Sequence, residues 1–222
     1  MAIEDVLAMA AVEPVRDGMI VGLGTGRAAS RAVAALARRA AAEPLELVCV
    51  ATSRRSEALA IGLGLTVRAM EGVARVDYLF DGADEVDAAL RMIKGGGGAM
   101  TREKIVAHAA AHRVYLVQEA KRVERLGAVA PLPIEVLRFG LAATLRQLRE
   151  RGLHGVLRGA ETDDGNPIID VRLAADADLA ALDAALDAMP AVVGHGLFLD
   201  EADAVLFEDQ RGRVSRCERS GA

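Results

Sequence analysis

Short apolar runs alternate along the chain with longer stretches whose apolar positions recur at helical spacing, the rhythm that a wound α/β sheet imposes. The pattern predicts a helix at 3–11, a strand at 19–23, a glycine-rich turn, and an alanine-rich helix from about 28 to 42. A strand at 45–50 follows, then a helix at 53–61 ending at Gly62, a short strand at 65–67, and a β-rich run at 76–80 that stops at Asp81. The next helix begins near Thr101, an N-cap candidate ahead of the periodic run Ile105, Val106 and Ala109. That assignment puts Glu103 in the first helical turn. A strand at 113–117 closes this part, and Pro131 and Pro133 mark a boundary.

Beyond the prolines the order changes to an extended segment at 132–137, a helix at 141–151, and a strand pair flanking Asp163-Asp164-Gly165-Asn166. A helix at 179–189 and a strand at 192–199 complete it. Two helices over a small antiparallel sheet fit that order, an α+β unit of the ferredoxin-like kind. A last strand at 204–207 can rejoin either sheet, and 211–222 reads as frayed. The expected fold is therefore α/β: a Rossmann-like wound-sheet domain of 1–130 with about 204–222, and a smaller α+β domain of 131–203.

Composition narrows the function classes. A net charge of -5, a pI near 5.5, two Tyr, four Phe and no Trp argue against a basic phosphate-binding surface or a base-stacking platform, so nucleic acid is not an expected partner. The segment 1–11 carries Glu4 and Asp5 instead of a basic leader, and no apolar run approaches the roughly 18 to 20 residues of a membrane span. Cys49 and Cys217 are too few for a disulfide framework, and thiols of this kind fit the cytoplasm. The three lysines, Lys94, Lys104 and Lys121, stand out because every other basic residue is Arg; an ammonium is a compact point charge, unlike a planar fork.

Three segments can carry chemistry. Gly22-Leu23-Gly24-Thr25-Gly26 follows a strand and opens a helix, so bare N–H groups and the helix dipole face an anion, or else the glycines serve only tight packing. A dinucleotide fits poorly, since the third glycine of G-x-G-x-x-G is missing and the second strand ends in Val50-Ala51-Thr52-Ser53 without a carboxylate. Asp81-Gly82-Ala83-Asp84-Glu85 sits where a buried strand ends, the usual ligand edge of an open α/β sheet. Three crowded carboxylates with Lys94 nearby suit acid–base work, though a solvated acidic turn or a metal cup reads the same way.

Lys94-Gly95-Gly96-Gly97-Gly98 is the strongest local feature, because consecutive glycines cost chain entropy unless something must approach the backbone. Glu103 alone would pass for a first-turn carboxylate favoured by the helix dipole. His108 and His112 lie four apart on a helix but lack a third ligand, and His154 and His195 are isolated, so no metal site is expected. Cys49 reads as a small core residue.

Taken together the segments resemble the type A ribose-5-phosphate isomerase family: GLGTG at 22–26, ATS at 51–53, DGADEVD at 81–87, KGGGGAMTREKIVA at 94–107 and LPIEVL at 132–137, with DDGNPIID and VVGHGLF further on. The resemblance implies interconversion of ribose 5-phosphate and ribulose 5-phosphate without metal or organic cofactor, by a homodimer or homotetramer. By position, Glu103 becomes the general base, Asp81 and Asp84 hold sugar hydroxyls and help open the ring, and Lys94 stabilises an enediolate oxyanion. Gly24, Thr25, Gly26, Arg27 and Ala28 fall on the phosphate turn, and Gly82, Ala83, Gly95, Gly96, Gly97 and Lys121 on other substrate contacts. The chain departs from the family at Arg27-Ala28, where Ser-Thr is usual, at Gln118 and Ala120, at Arg138, and at Gly194-His195.

Two other readings share the architecture. A sugar-phosphate sensing module would carry a DNA-binding appendage, for which about 18 residues before the first strand leave little room, and would not need Glu103. An acyl or CoA transferase would place a nucleophilic glutamate on a different loop.

Overall fold

In a computed structural model, residues 5–219 are described. In chain order the elements are α1 (Val6–Val12), β1 (Ile20–Leu23), α2 (Arg27–Ala42), β2 (Val48–Ala51), α3 (Arg54–Gly62), β3 (Tyr78–Gly82), β4 (Glu85–Val86), β5 (Met92–Ile93), α4 (Met100–Ala109) and β6 (Arg113–Gln118). They continue with β7 (Leu132–Val136), α5 (Leu141–Glu150), β8 (Gly155–Glu161), β9 (Pro167–Val171), α6 (Leu179–Asp187), β10 (Val192–His195), β11 (Leu197–Phe198), β12 (Ala204–Glu208) and β13 (Val214–Glu218).

The chain divides into two compact units, one of Met1–Ala83, Arg102–Lys121 and Glu201–Ala222, the other of Asp84–Thr101 and Arg122–Asp200. The first holds a six-stranded sheet in the order β13-β12-β6-β3-β1-β2, parallel except for β13. Each parallel strand is a nearly continuous apolar run because both faces are covered, and Leu7, Val21, Leu36, Phe80, Leu116 and Leu206 belong to one core. Helix α4 lies close to this sheet at Gly22, where a Cβ would come 2.8 Å from Leu79 and 2.9 Å from Val106.

The second unit contains the order β7-α5-β8-β9-α6-β10 folded into an antiparallel sheet β10-β7-β9-β8, the ferredoxin-like arrangement. Its core gathers Leu132, Ile134, Val136, Leu148, Ile169 and Leu186. A small three-stranded sheet, β11-β5-β4, belongs to the same unit. Residues 84–101 and 122–130, expected with the first domain, group instead with the second, where β5 pairs with β11 and Glu85 accepts the N–H groups of Gly127, Val129 and Ala130.

Several elements differ from expectation for identifiable reasons. The strand expected at 65–67 reduces to an isolated bridge between Cys49 and Val67. The run 192–199 breaks at Gly196, whose Cβ would meet the Lys94 carbonyl at 2.1 Å, so β10 and β11 enter different sheets. The supposedly frayed end forms β13, an edge strand of mainly polar residues in which Val214 packs against the core. The parts of the expected first helix and of the tail at 3–4 and 220–222 lie outside the described residues.

Thr101 lies inside the first turn of α4, which starts at Met100, instead of capping it. Its hydroxyl donates to the Glu135 carboxylate, a buried acceptor that also takes Thr162 Oγ1 and Asn166 Nδ2, each at 2.8 Å.

Candidate active site

In the first unit the site residues gather at the carboxyl ends of β1 and β3, the edge where parallel strands present their loops. Asp81 is fully buried, and its Oδ1 accepts the N–H of Thr25 at 2.9 Å and of Gly82 at 2.7 Å. Gly24 is glycine because a Cβ there would sit 2.2 Å from Asp81 Oδ1 and 2.4 Å from its Cα. Gly26 has φ +103 and precedes α2, so the turn depends on its freedom in the left-handed region.

Thr25 Oγ1 lies 2.7 Å from Thr52 Oγ1 and donates to Ser53 Oγ at 2.8 Å, while Ser56 Oγ donates to the Gly24 carbonyl at 2.7 Å. Ser53 also caps α3 by accepting the Ser56 N–H. This cluster joins the ends of β1 and β2, a role that the ATS segment signalled without showing which hydroxyls meet. Arg27 is the first residue of α2 and is exposed, with Ala28 half-buried behind it.

Glu103 is buried in the first turn of α4, where the helix dipole favours a carboxylate. Tyr115 pairs in register with Asp81 across β6 and β3 and is wholly buried. That burial, and then the carboxylates of Asp81, Glu201 and Glu103, hold the Tyr115 phenol well above the ordinary tyrosine range, so the hydroxyl keeps its proton at neutral pH. Sequence reading gave Tyr115 no role, because a tyrosine inside an apolar strand looks like core. Lys121 donates to the Ala83 carbonyl at 2.5 Å, at the end of the DGA segment.

In the second unit, Asp84 is half-buried and its Oδ2 accepts the Gly96 N–H at 2.7 Å. A Cβ on Gly96 would come 2.8 Å from Asp84 Oδ1, and Gly95 combines φ +92 with a Cβ position 2.6 Å from Met100. These approaches are what the glycine tract accommodates. Lys94 is buried, with Nζ 5.5 Å from the centre of the Phe198 ring. The site residues thus fall into two sets, Gly24 to Ala28, Asp81 to Ala83, Glu103 and Lys121 in the first unit, and Asp84 with Lys94 to Gly97 in the second.

Glu85 and Asp87, in the same acidic segment, are structural. Glu85 accepts the N–H groups of Gly127, Val129 and Ala130, and Asp87 holds the N–H groups of Ala89 and Arg91. Among the described residues no group of three or more His, Cys, Asp or Glu is placed to hold a metal ion. His108 and His112 lie instead near Glu201 and Asp203, at 3.5 and 3.7 Å.

A family model described as ribose 5-phosphate isomerase A (phosphoriboisomerase A) matches residues 48–212. The chain belongs to the ribose-5-phosphate isomerase A family. Ribose-5-phosphate isomerase A of Thermomicrobium roseum is 45% identical over 213 residues, covering 93% of this chain and 89% of the relative. A ribose 5-phosphate isomerase A structure from Methanocaldococcus jannaschii superposes with TM-score 0.90 at 37% identity over 96% of each chain. A D-ribose-5-phosphate isomerase solved in complex with phospho-erythronic acid gives TM-score 0.91 at 33% identity over 97% of each chain.

Of the departures from the ribose-5-phosphate isomerase A pattern, Gln118, Arg138 and Gly194-His195 have local partners, and nothing in the structure explains Arg27-Ala28 or Ala120. Gln118 donates to Glu208 at 2.9 Å, where an aspartate would face a like charge. Arg138 pairs with Glu161. Gly194 faces Thr101, whose Oγ1 would lie 2.4 Å from a Cβ, and His195 is buried with Nε2 3.0 Å from Asp187.

Proposed function

We propose that the chain interconverts D-ribose 5-phosphate and D-ribulose 5-phosphate through a cis-enediolate, with Glu103 as the base. The observation that carries the reading is a carboxylate buried in the first turn of α4 within a chain of this family, its charge felt at Tyr115 together with that of Asp81. The ligand in the related structure supports the substrate class, since phospho-erythronic acid is a phosphorylated sugar acid whose carboxylate resembles a planar enediolate.

In this reading Asp81 and Asp84 pass the anomeric hydroxyl proton to the ring oxygen and release the open aldehyde. Glu103 then takes the proton from C2, the C–H pair becomes the C1–C2 double bond, and the carbonyl pair moves onto O1. Lys94 steadies the oxyanion, the proton on O2 passes to O1, and Glu103 returns its proton to C1. The Gly24 to Ala28 turn, with Arg27 in place of a hydroxyl donor, receives the phosphate; Gly82, Ala83, Gly95 to Gly97 and Lys121 line the sugar. Electrostatic stabilisation of the developing oxyanion is the larger contribution, and positioned proton transfer adds about 10²- to 10⁴-fold.

The test supplies ribose 5-phosphate in heavy water with EDTA and follows ribulose 5-phosphate and deuterium at C2. Turnover with exchange is expected, and Glu103→Gln should lose about 10²- to 10⁴-fold of both. Full exchange by that variant would remove Glu103 from the role, and binding without exchange in the native chain would favour the sensor reading.

Assembly as a homodimer or homotetramer in the cytoplasm belongs to the same proposal. Support comes from Phe139, fully exposed, and Leu137, 47% exposed, two positions apart in the second unit. Light scattering should give a mass of two or four chains, and a monomer at micromolar concentration would refute it.

A further inference from the structure

We propose that Arg158 and Asp170 are positioning residues for Asp84, acting through the Gly95–Gly96 peptide; the inference rests on the role given to Asp84 above. Arg158 stands on β8 and Asp170 on the neighbouring β9. Arg158 Nε and Nη2 donate to Asp170 Oδ2 and Oδ1 at 2.8 and 2.6 Å, a forked pair that fixes the guanidinium plane. The remaining nitrogen, Nη1, donates to the carbonyls of Gly95 and Gly96, both at 3.2 Å.

A trans peptide is planar, with its C=O and N–H pointing in opposite directions. The carbonyl of Gly95 and the N–H of Gly96 belong to one such plane. Its oxygen is held by Arg158, and its N–H donates to Asp84 Oδ2 at 2.7 Å. Fixing one end of the plane therefore fixes the other. Glycines on both sides leave this peptide free to flip at little steric cost, and Gly95 already occupies the left-handed region at φ +92. The guanidinium opposes that flip. It also polarises the amide it holds, which strengthens the hydrogen bond on the far side. A surface ion pair with no further duty would have no need to spend its third nitrogen on two glycine carbonyls.

The experiment compares Arg158→Met, Arg158→Lys, Asp170→Asn and Asp84→Asn, and the double variant Arg158→Met/Asp84→Asn, by steady-state kinetics, thermal midpoint and amide hydrogen exchange. Arg158→Met should lower kcat about 10- to 100-fold, as misplacing a catalytic group does, with KM within about twofold. Arg158→Lys should recover part of the loss, Asp170→Asn should show a smaller one, and exchange at the Gly96 amide should rise in Arg158→Met. Since Arg158 acts through Asp84, the double variant should be no slower than Asp84→Asn alone. Losses that multiply in the double variant, or that track a fall in thermal midpoint, would overturn the inference while leaving Asp84 its role. Full activity of Asp84→Asn would instead remove the role of Asp84, and the inference with it.

Discussion

Cys49 lies fully buried in β2, and burial pushes its thiol from the ordinary 9.0 up to about 12. The folded chain holds this proton more tightly than the unfolded chain does. Its contribution to stability is therefore complete below about pH 9 and is lost as pH rises from there toward 12. Iodoacetamide at pH 8 should modify Cys217 in the folded protein and reach Cys49 only in urea, which peptide mass spectrometry reads directly; rapid modification of both would contradict the burial. At this scale the sequence was uneven in what it disclosed. Glycines at 24, 95 and 96 announced close approaches, because only a missing side chain tolerates them. Thr101 looked like a cap because its acceptor, Glu135, is 34 positions away and no local rule points to it. Arg158 was invisible among many arginines, since its task depends on two carbonyls some 60 positions earlier.

Among elements, Arg31 of α2 ties two others down. It donates to Asp5, the N-cap of α1, at 2.6 and 2.7 Å, and to Glu208 at the end of β12 at 2.8 Å. The hydrogen bond from Arg31 is the main reason the Asp5 carboxyl titrates below its ordinary 3.8. Asp5 therefore stabilises the fold above about pH 4, and that contribution is lost as pH falls through its lowered value. Solvent reaches this cluster, so Asp5→Asn should cost only about 1 kcal/mol at pH 7. The difference from the native chain in urea melts should shrink steadily as pH falls below about 4, and a difference independent of pH would assign the loss to packing. Elements with strong apolar periodicity, such as α2 and the parallel strands, were readable because burial dictates their pattern. β4, β5 and β13 were not, being too short or too polar to carry one.

At the level of the whole chain, β12 closes the large sheet by pairing in parallel with β6, and β13 covers its other edge. Truncation after Asp200 removes both strands and leaves Val114 to Val117, a buried apolar run, on an open edge. The shortened protein should accumulate as insoluble material, measured by the soluble fraction on expression, while soluble and active protein would show that β12 is dispensable. The alternation of strands and helices disclosed the fold class, but not which sheet would receive 204–207, because pairing partners far apart in sequence leave no mark on a periodic pattern. That late closure has a consequence for biosynthesis. Arg113 meets Asp203 some 90 residues downstream, so at about 5 to 20 residues per second a nascent chain leaves the ribosome with β6 exposed for several seconds. The interval before the last strand emerges is when a holdase chaperone has its opportunity to bind.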